Sequence, residues 1–330
     1  MTRWLVTGAG GMLGQDLVRV LAARGTDTVA LNRRELDVTD RRAVFAALRA
    51  SRPAVVVNCA AWTDVDAAER EAAPARAVNT DGACHVARAC AVTGALVIQV
   101  STDYVFAGTA TVPHPETAPA EPRTVYGRTK LDGERAVLET LPGRGYVVRT
   151  AWLYGAHGPN FVRTVIEREA RQATLDVVDD QYGQPTWTVD LAGLLVRLGE
   201  SADRGTAPPG VYHATASGAT TWYRLAREIF RLRGRDPDRI RRTTSAALAR
   251  SAPRPSYSVL GHARWAEAGL HPLGSWQSAL ARALPALDAL DSHPGNPGPP
   301  RCDRGANGSG RTLSPAADRA AVLKCGLSDQ

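Results

Sequence analysis

Trp4-Leu5-Val6-Thr7-Gly8-Ala9-Gly10-Gly11-Met12-Leu13-Gly14 is the stretch that decides the fold of this 330-residue chain. A short apolar run passes straight into a turn with glycines at 8, 11 and 14, and a helical pattern follows. In that spacing Gly8 makes the tight turn and Gly11 admits a pyrophosphate against bare backbone. Gly14 lets the helix pack on the strand, and Met12 and Leu13 open a helix whose free N–H groups face the phosphates. A glycine motif alone is weak; its strand-turn-helix context is what points to a dinucleotide.

Outward from that turn, the first 150 residues alternate short apolar runs with amphipathic stretches, which predicts a parallel sheet wrapped by helices. Strands are expected at Trp4–Thr7, Thr28–Leu31, Ala54–Asn58, Leu96–Ser101 and Tyr146–Thr150, and helices at Met12–Ala23, Arg41–Ser51, Pro74–Val92 and Val125–Leu141. The fold class is therefore α/β, a Rossmann-type doubly wound sheet with its ligand at the carboxyl ends of the strands. Residues 1–150, with contributions from about 175–215, form the expected cofactor domain, and residues 151–291 a smaller C-terminal substrate part. Beyond it the composition changes: nine of the twenty residues 292–311 are Gly or Pro. Residues 292–330 therefore read as a disordered tail.

Apolar residues make up 44% and charged residues 22%, the balance of a globular body. No run approaches the roughly 18 consecutive apolar residues of a membrane span. The N-terminus enters a strand with no room for a secretory signal, so the expected location is the cytoplasm. The net charge of +7 invites a nucleic-acid reading, but the basic residues are scattered among acids rather than clustered with aromatics. No nucleic-acid partner is expected. Five cysteines without a C-x-x-C pair, and histidines in no ligand spacing, predict neither a disulfide framework nor a metal site.

Two features carry chemistry beyond the glycine turn. After the second strand an NAD-selective site would place an acid for the ribose 2′-hydroxyl, whereas this chain has Asn32-Arg33-Arg34. Two guanidiniums suit a 2′-phosphate, so NADPH is the expected cofactor, with NADH as the alternative. Tyr126 and Lys130 lie four residues apart, on one helix face, where an ammonium favours the phenolate and moves a phenol toward useful acid–base catalysis. Only 2 of the 40 basic residues are lysine, so Lys130 marks a place where a guanidinium will not serve. Such a phenol can protonate a carbonyl oxygen as hydride arrives at carbon, and Ser101-Thr102, at a strand end, supplies a further hydroxyl for that oxygen.

The glycine turn, Ser101-Thr102-Asp103-Tyr104-Val105-Phe106 and Tyr126-Gly127-Arg128-Thr129-Lys130-Leu131 resemble extended short-chain dehydrogenases/reductases, and within them the dTDP-4-dehydrorhamnose reductase family. Further matches at 57–66, 149–155, 180–186 and 254–260 extend the resemblance over roughly residues 1–291. It implies reduction of the 4-keto group of a dTDP-linked 4-keto-6-deoxy sugar, giving dTDP-L-rhamnose or a related sugar such as dTDP-dihydrostreptose. By motif, Thr102, Tyr126 and Lys130 would be catalytic. Gly11, Met12, Leu13, Asp37, Val38, Ala60, Ala61 and Thr63 would line the cofactor, and Thr102, Asp103 and Trp152 would contact the sugar nucleotide. A homodimer is allowed by the resemblance, but a metal-bridged one is not expected: Asp16 falls near one ligand position of the members that bridge through a metal, while the position after Pro185-Thr186-Trp187-Thr188 holds Val189 with Asp190 beside it. Two other readings stay open. Nucleotide-sugar dehydratases carry an Asp-Glu pair after the threonine where this chain has Asp103-Tyr104, and an epimerase needs a further base. A non-catalytic NADP-binding regulatory module, like the regulatory beta subunit of methionine adenosyltransferase, shares the fold.

Overall fold

The computed structural model describes residues 2–248 and 250–291; the tail expected at 292–330 lies outside them. Strand β1 (Trp4–Thr7) leads through the glycine turn into α1 (Met12–Ala23), then come β2 (Thr28–Leu31), α2 (Arg41–Ser51) and β3 (Val55–Asn58). Two short helices, α3 (Val65–Arg70) and α4 (Ala72–Arg76), precede α5 (Ala83–Thr93) and β4 (Leu96–Thr102). Helix α6 (Val125–Thr140) and β5 (Gly145–Thr150) complete the first half. Later in the chain come β6 (Leu153–Tyr154), α7 (Phe161–Glu169), β7 (Leu175–Val178), β8 (Tyr182–Gly183), β9 (Thr186–Trp187), α8 (Thr188–Asp203) and β10 (Gly210–His213).

The main sheet is parallel throughout, in the order β10-β5-β4-β3-β1-β2. Because β1 pairs with both β2 and β3, the winding reverses beside it, and a crevice opens outside the carboxyl ends of β1 and β3. Alternation along the strands feeds two cores. Trp4, Val6, Val55, Val57 and Ile98 pack under α1 and α8, while Leu5, Val56 and Val97 pack with Val44, Leu48, Val86 and Val137 of α2, α5 and α6. Gly199 of α8 lies flat against the Trp4 indole, where an added Cβ would come within 2.2 Å of the ring.

A third core lies outside the sheet. Stacked Trp152 and Trp222 join Phe161, Val165, Leu175, Ile229, Phe230 and Leu280 there. Helix α9 (Trp222–Leu232), capped by the Thr221 hydroxyl on Arg224 N, turns Leu225, Ala226, Ile229 and Phe230 inward. Each large apolar side chain so buried contributes roughly 1.5–3 kcal/mol. Leu175–Val178 pairs in parallel with β12 (Ile240–Thr243), reached after β11 (Thr220–Thr221); α10 (Trp276–Asp291) closes the described chain.

The helix expected at Pro74–Val92 is interrupted by a π-helical segment, Ala77–Gly82. The extra residue swings Asn79 inward, where its side chain accepts from Trp62 N and donates to Trp62 O and Thr129 Oγ1. Apolar periodicity continues on both sides of such a bulge, so it leaves no sequence signature. The two-residue strands of the second half also escape periodicity, being too short to alternate.

Gly199→Ala should destabilise the chain by about 1–3 kcal/mol, because the helix must move off a fully buried indole. Urea denaturation followed by tryptophan fluorescence will measure it; an unchanged midpoint would mean that α8 has slack over the sheet.

Candidate active site

Loops after β1, β2 and β3 enclose a cleft of about 510 Å³ lined by Gly8, Gly10, Gly11, Asn32, Arg33, Arg34, Leu36, Asp37, Val38, Cys59, Ala60, Ala61, Trp62 and Val78. Gly8 takes a φ of 63°, and a Cβ there would lie 2.6 Å from Ala60 N; at Gly14 it would lie 2.3 Å from Gly8 O. The bare turn is what allows the crevice to be this narrow. Helix α1 starts at Gly11 with no side chain capping it, so its first N–H groups are left for a ligand. A pyrophosphate fits that end, and Arg33 and Arg34, both exposed, rim the other. Asp37 is occupied locally: its Oδ1 accepts from Thr39 N and Thr39 Oγ1, bonds that hold its carboxyl below the usual range.

A second cleft continues from the first past Gly10, Gly11, Cys59 and Ala61, and is lined further by Met12, Leu13, Gly14, Gln15, Thr63, Val100, Ser101, Tyr126, Lys130, Gly158 and Pro159. The glycine turn, Tyr126 and Lys130 thus face one continuous crevice. Helix α6 begins beside β4, its N-terminus capped by the Thr124 hydroxyl on Gly127 N and by Glu69 Oε1 on Val125 N. Gly127 allows the close approach, since a Cβ there would meet Tyr104 O at 2.2 Å. Tyr126 is 1% exposed and packs edge-on against Tyr104, with ring centroids 5.6 Å apart.

Lys130 is buried, and its Nζ donates to Val100 O at 2.6 Å. Burial pulls its ammonium down to about 8, against the attraction of Glu134 and Cys59. The same carbonyl of Val100 accepts from Gln99 Nε2; Gln99 Oε1 accepts from Asn58 Nδ2, and Asn58 Oδ1 accepts from Thr7 Oγ1 and Ala60 N. This buried polar chain crosses the ends of β1, β3 and β4 and ties the phosphate-binding turn to the lysine.

Thr102 and Asp103 are buried beside Tyr104: the Thr102 hydroxyl donates to Asp103 Oδ1 and accepts from Tyr104 N. It is Ser101 rather than Thr102 that lines the second cleft. Trp152 is 6% exposed, covered by Trp222 on one face and abutted by Gly183, with a φ of 49° that L-residues rarely adopt. Cys59 and Trp62, within the match at 57–66, line the crevice, and Gly158 and Pro159 line it without any sequence motif to announce them. His114 and His213 converge on Phe106, one stacked and one edge-on. Among the described residues no three side chains group as a metal site, and no helix is long and apolar enough to cross a membrane.

Residues 2–289 match the family described as the RmlD substrate binding domain. The chain belongs to this family. RmlD-family relatives include the dTDP-4-dehydrorhamnose reductase of Streptomyces griseus, 60% identical over 284 residues, or 86% of this chain and 93% of that protein. The dTDP-4-keto-6-deoxy-D-glucose reductase of Streptomyces niveus is 50% identical over 283 residues, 86% of this chain and 96% of that one. Among solved structures, the dTDP-4-dehydrorhamnose reductase of Bacillus anthracis in complex with NADP superposes with a TM-score of 0.81 at 32% identity, covering 87% of this chain and 100% of that one. Membership makes this RmlD-family chain an oxidoreductase on a Rossmann-type fold.

Cys59 sits where the two clefts meet, yet burial pushes its thiol up to about 12. Since the thiolate is the nucleophile, iodoacetamide at pH 8 should label Cys59 at least about a hundredfold more slowly than free glutathione. Peptide-resolved mass spectrometry gives the rate; labelling as fast as glutathione would place Cys59 in water.

Proposed function

We propose that the chain reduces the 4-keto group of a dTDP-linked 4-keto-6-deoxy sugar with NADPH, yielding dTDP-L-rhamnose or a related sugar such as dTDP-dihydrostreptose. The reading is carried by one observation: buried Tyr126 and Lys130 face the same continuous crevice as the uncapped glycine turn. The dinucleotide's pyrophosphate belongs at Gly8–Gly14, beside Met12 and Leu13, with its adenosine end toward Arg33, Arg34, Asp37 and Val38. Its nicotinamide end then runs past Ala60, Ala61 and Thr63 toward Tyr126. Residues 1–150 with parts of 175–215 hold the cofactor, and residues 151–291 help to hold the sugar nucleotide. Use of a nicotinamide cofactor and a sugar nucleotide supports a cytoplasmic location.

When bound, the reduced nicotinamide supplies a hydride to the carbonyl carbon. Tyr126 gives its phenolic proton to the carbonyl oxygen, so that ketone becomes alcohol with hydride and proton both accounted for. Lys130, one helical turn away, lowers the cost of the phenolate that remains. Thr102, at the strand end, would turn its hydroxyl from Asp103 Oδ1 to the carbonyl oxygen, and Asp103 and Trp152 border the sugar. Elimination of water would need a second acid–base pair, and Tyr104 occupies the place where a carboxylate would follow Asp103. A regulatory module would have no use for a buried ammonium beside a phenol.

Loss of reduced-nicotinamide absorbance with a dTDP-4-keto-6-deoxy sugar, and identification of the product alcohol, tests the proposal; cofactor binding without turnover would support the regulatory reading instead. Tyr126→Phe should lower kcat at least about a hundredfold with little change in cofactor affinity, and Lys130→Arg should also be poor, since a planar fork cannot replace a compact ammonium in a filled pocket. Near-normal turnover of Tyr126→Phe would assign the proton to another group.

The two exposed arginines set a weaker preference. Solvent screens their charge-assisted bonds to a 2′-phosphate, so kcat/KM should favour NADPH over NADH by about ten- to a hundredfold and less so at high salt. The Arg33→Ala, Arg34→Ala double variant should lose that preference and spare NADH. Equal use of both cofactors by the unaltered chain at low salt would reduce these arginines to surface charges.

A further inference from the structure

Helix α6 carries a third buried ionisable side chain one turn beyond Lys130. Tyr126, Lys130 and Glu134 follow at four-residue steps along one face and are 1%, 3% and 1% exposed. Two consecutive residues of β4 receive the last two: Lys130 Nζ donates to Val100 O, and Ser101 Oγ donates to Glu134 Oε1. Arg149, the register partner of Ser101 on β5, closes on the same carboxylate with Nε 3.0 Å from Oε1 and Nη2 2.7 Å from Oε2. Behind it the guanidinium rests over the Phe106 ring.

The site already described uses neither Glu134 nor Arg149. As mere scaffolding the pair is a poor device, because a buried ion pair gains little over well-packed apolar residues. Its placement gives it a different use. We propose that Glu134 and Arg149 are positioning residues for the Tyr126–Lys130 couple: Glu134 is the counterion that keeps the Lys130 ammonium charged at the strand end, and Arg149 limits how strongly it does so. This rests on the assignment of Tyr126 and Lys130 above.

Glu134 opposes the desolvation that lowers Lys130. The other titratable groups packed around the couple are Cys59 just after β3, Asp103 and Tyr104 after β4, and Glu69 of α3, whose carboxylate accepts from Val125 N at the start of α6. Beyond Arg149 stand His114 and His213, both held below the ordinary imidazole range by burial and by the guanidinium, His213 down to about 3. Those two therefore stay neutral where the reductase is assayed. Removing the Glu134 charge lowers the titration of both partners in the couple, since a nearby anion favours the ammonium and disfavours the phenolate.

The test is the pH dependence of kcat/KM for sugar reduction by the full chain at saturating NADPH. In Glu134→Gln the alkaline limb should move down by about one unit or more, with the acid plateau reduced no more than about tenfold. In Arg149→Gln it should move up, and in the double variant it should fall between Glu134→Gln and the unaltered chain, because the nearer charge dominates. The double variant leaves neither the carboxylate nor the guanidinium buried without the other, and keeps the test alive should a single variant fail to fold. A limb within about 0.3 units of the unaltered one in the double variant and in whichever single variant folds would overturn the proposal, leaving a structural ion pair. Lys130→Met separates this from the parent reading: full activity with an unmoved limb in that variant would mean that Lys130 is not in the couple at all.

Discussion

An ammonium buried at the end of a strand is the constraint on which this site is built. Taking Lys130 out of water is costly unless its charge is met, and a planar guanidinium does not present the compact point charge of an ammonium. The protein meets that charge with a main-chain carbonyl, Val100 O, and with a carboxylate four residues along the same helix. Both partners exist only because α6 lies tight against β4, which the glycine at 127 permits. The helix, the strand end and the charge therefore stand or fall together.

The same carbonyl links the lysine to the far side of the crevice. Thr7, Asn58 and Gln99 form a buried line of donors and acceptors across three strand ends, and each is satisfied by the next. In a low-dielectric interior a complete line of this kind fixes orientation, since breaking any member strands its neighbours. Asn58 also receives Ala60 N, so the loop that borders the glycine turn takes its shape from the network that reaches the lysine. Asn79, swung inward by the π-helical segment, performs a similar service between Trp62 and Thr129 of α6.

The second half of the chain stands on different physics. Its strands are two to four residues long and cannot carry a sheet alone, so stability comes from aromatic stacking and from helices α7, α9 and α10 laid over Trp152 and Trp222. The strained backbone of Trp152 is held between Gly183 and that stack, at the point where the chain leaves the last strand of the first half. From this half the Gly158–Pro159 loop reaches back to line the crevice, while Asp66 and Arg254 tie the segment near 252–254 to the helix after the cofactor loop.

How much of this was legible in the sequence follows from how local each signal is. The glycine turn, the first five strands of the main sheet and helices such as Met12–Ala23 and Arg41–Ser51 are written in periods of 2 and 3.6 and in residues whose backbone freedom or lack of a side chain is decisive at that place. Tyr126 and Lys130 are legible because a four-residue spacing on a helix is a statement about distance. The π-helical bulge, the short strands and the burial of Trp152 are not, since each depends on what packs against it from far along the chain. That Ser101 lines the crevice while the Thr102 hydroxyl turns to Asp103 is likewise settled by packing around the end of β4, not by the local sequence. By itself the sequence determined a doubly wound sheet, a phosphate-binding turn and a phenol–ammonium pair on one helix face. Only the tertiary structure decided that this helix face is buried at the end of β4 and that Ser101 and Arg149 close on Glu134 there, because those contacts join segments that are remote in sequence.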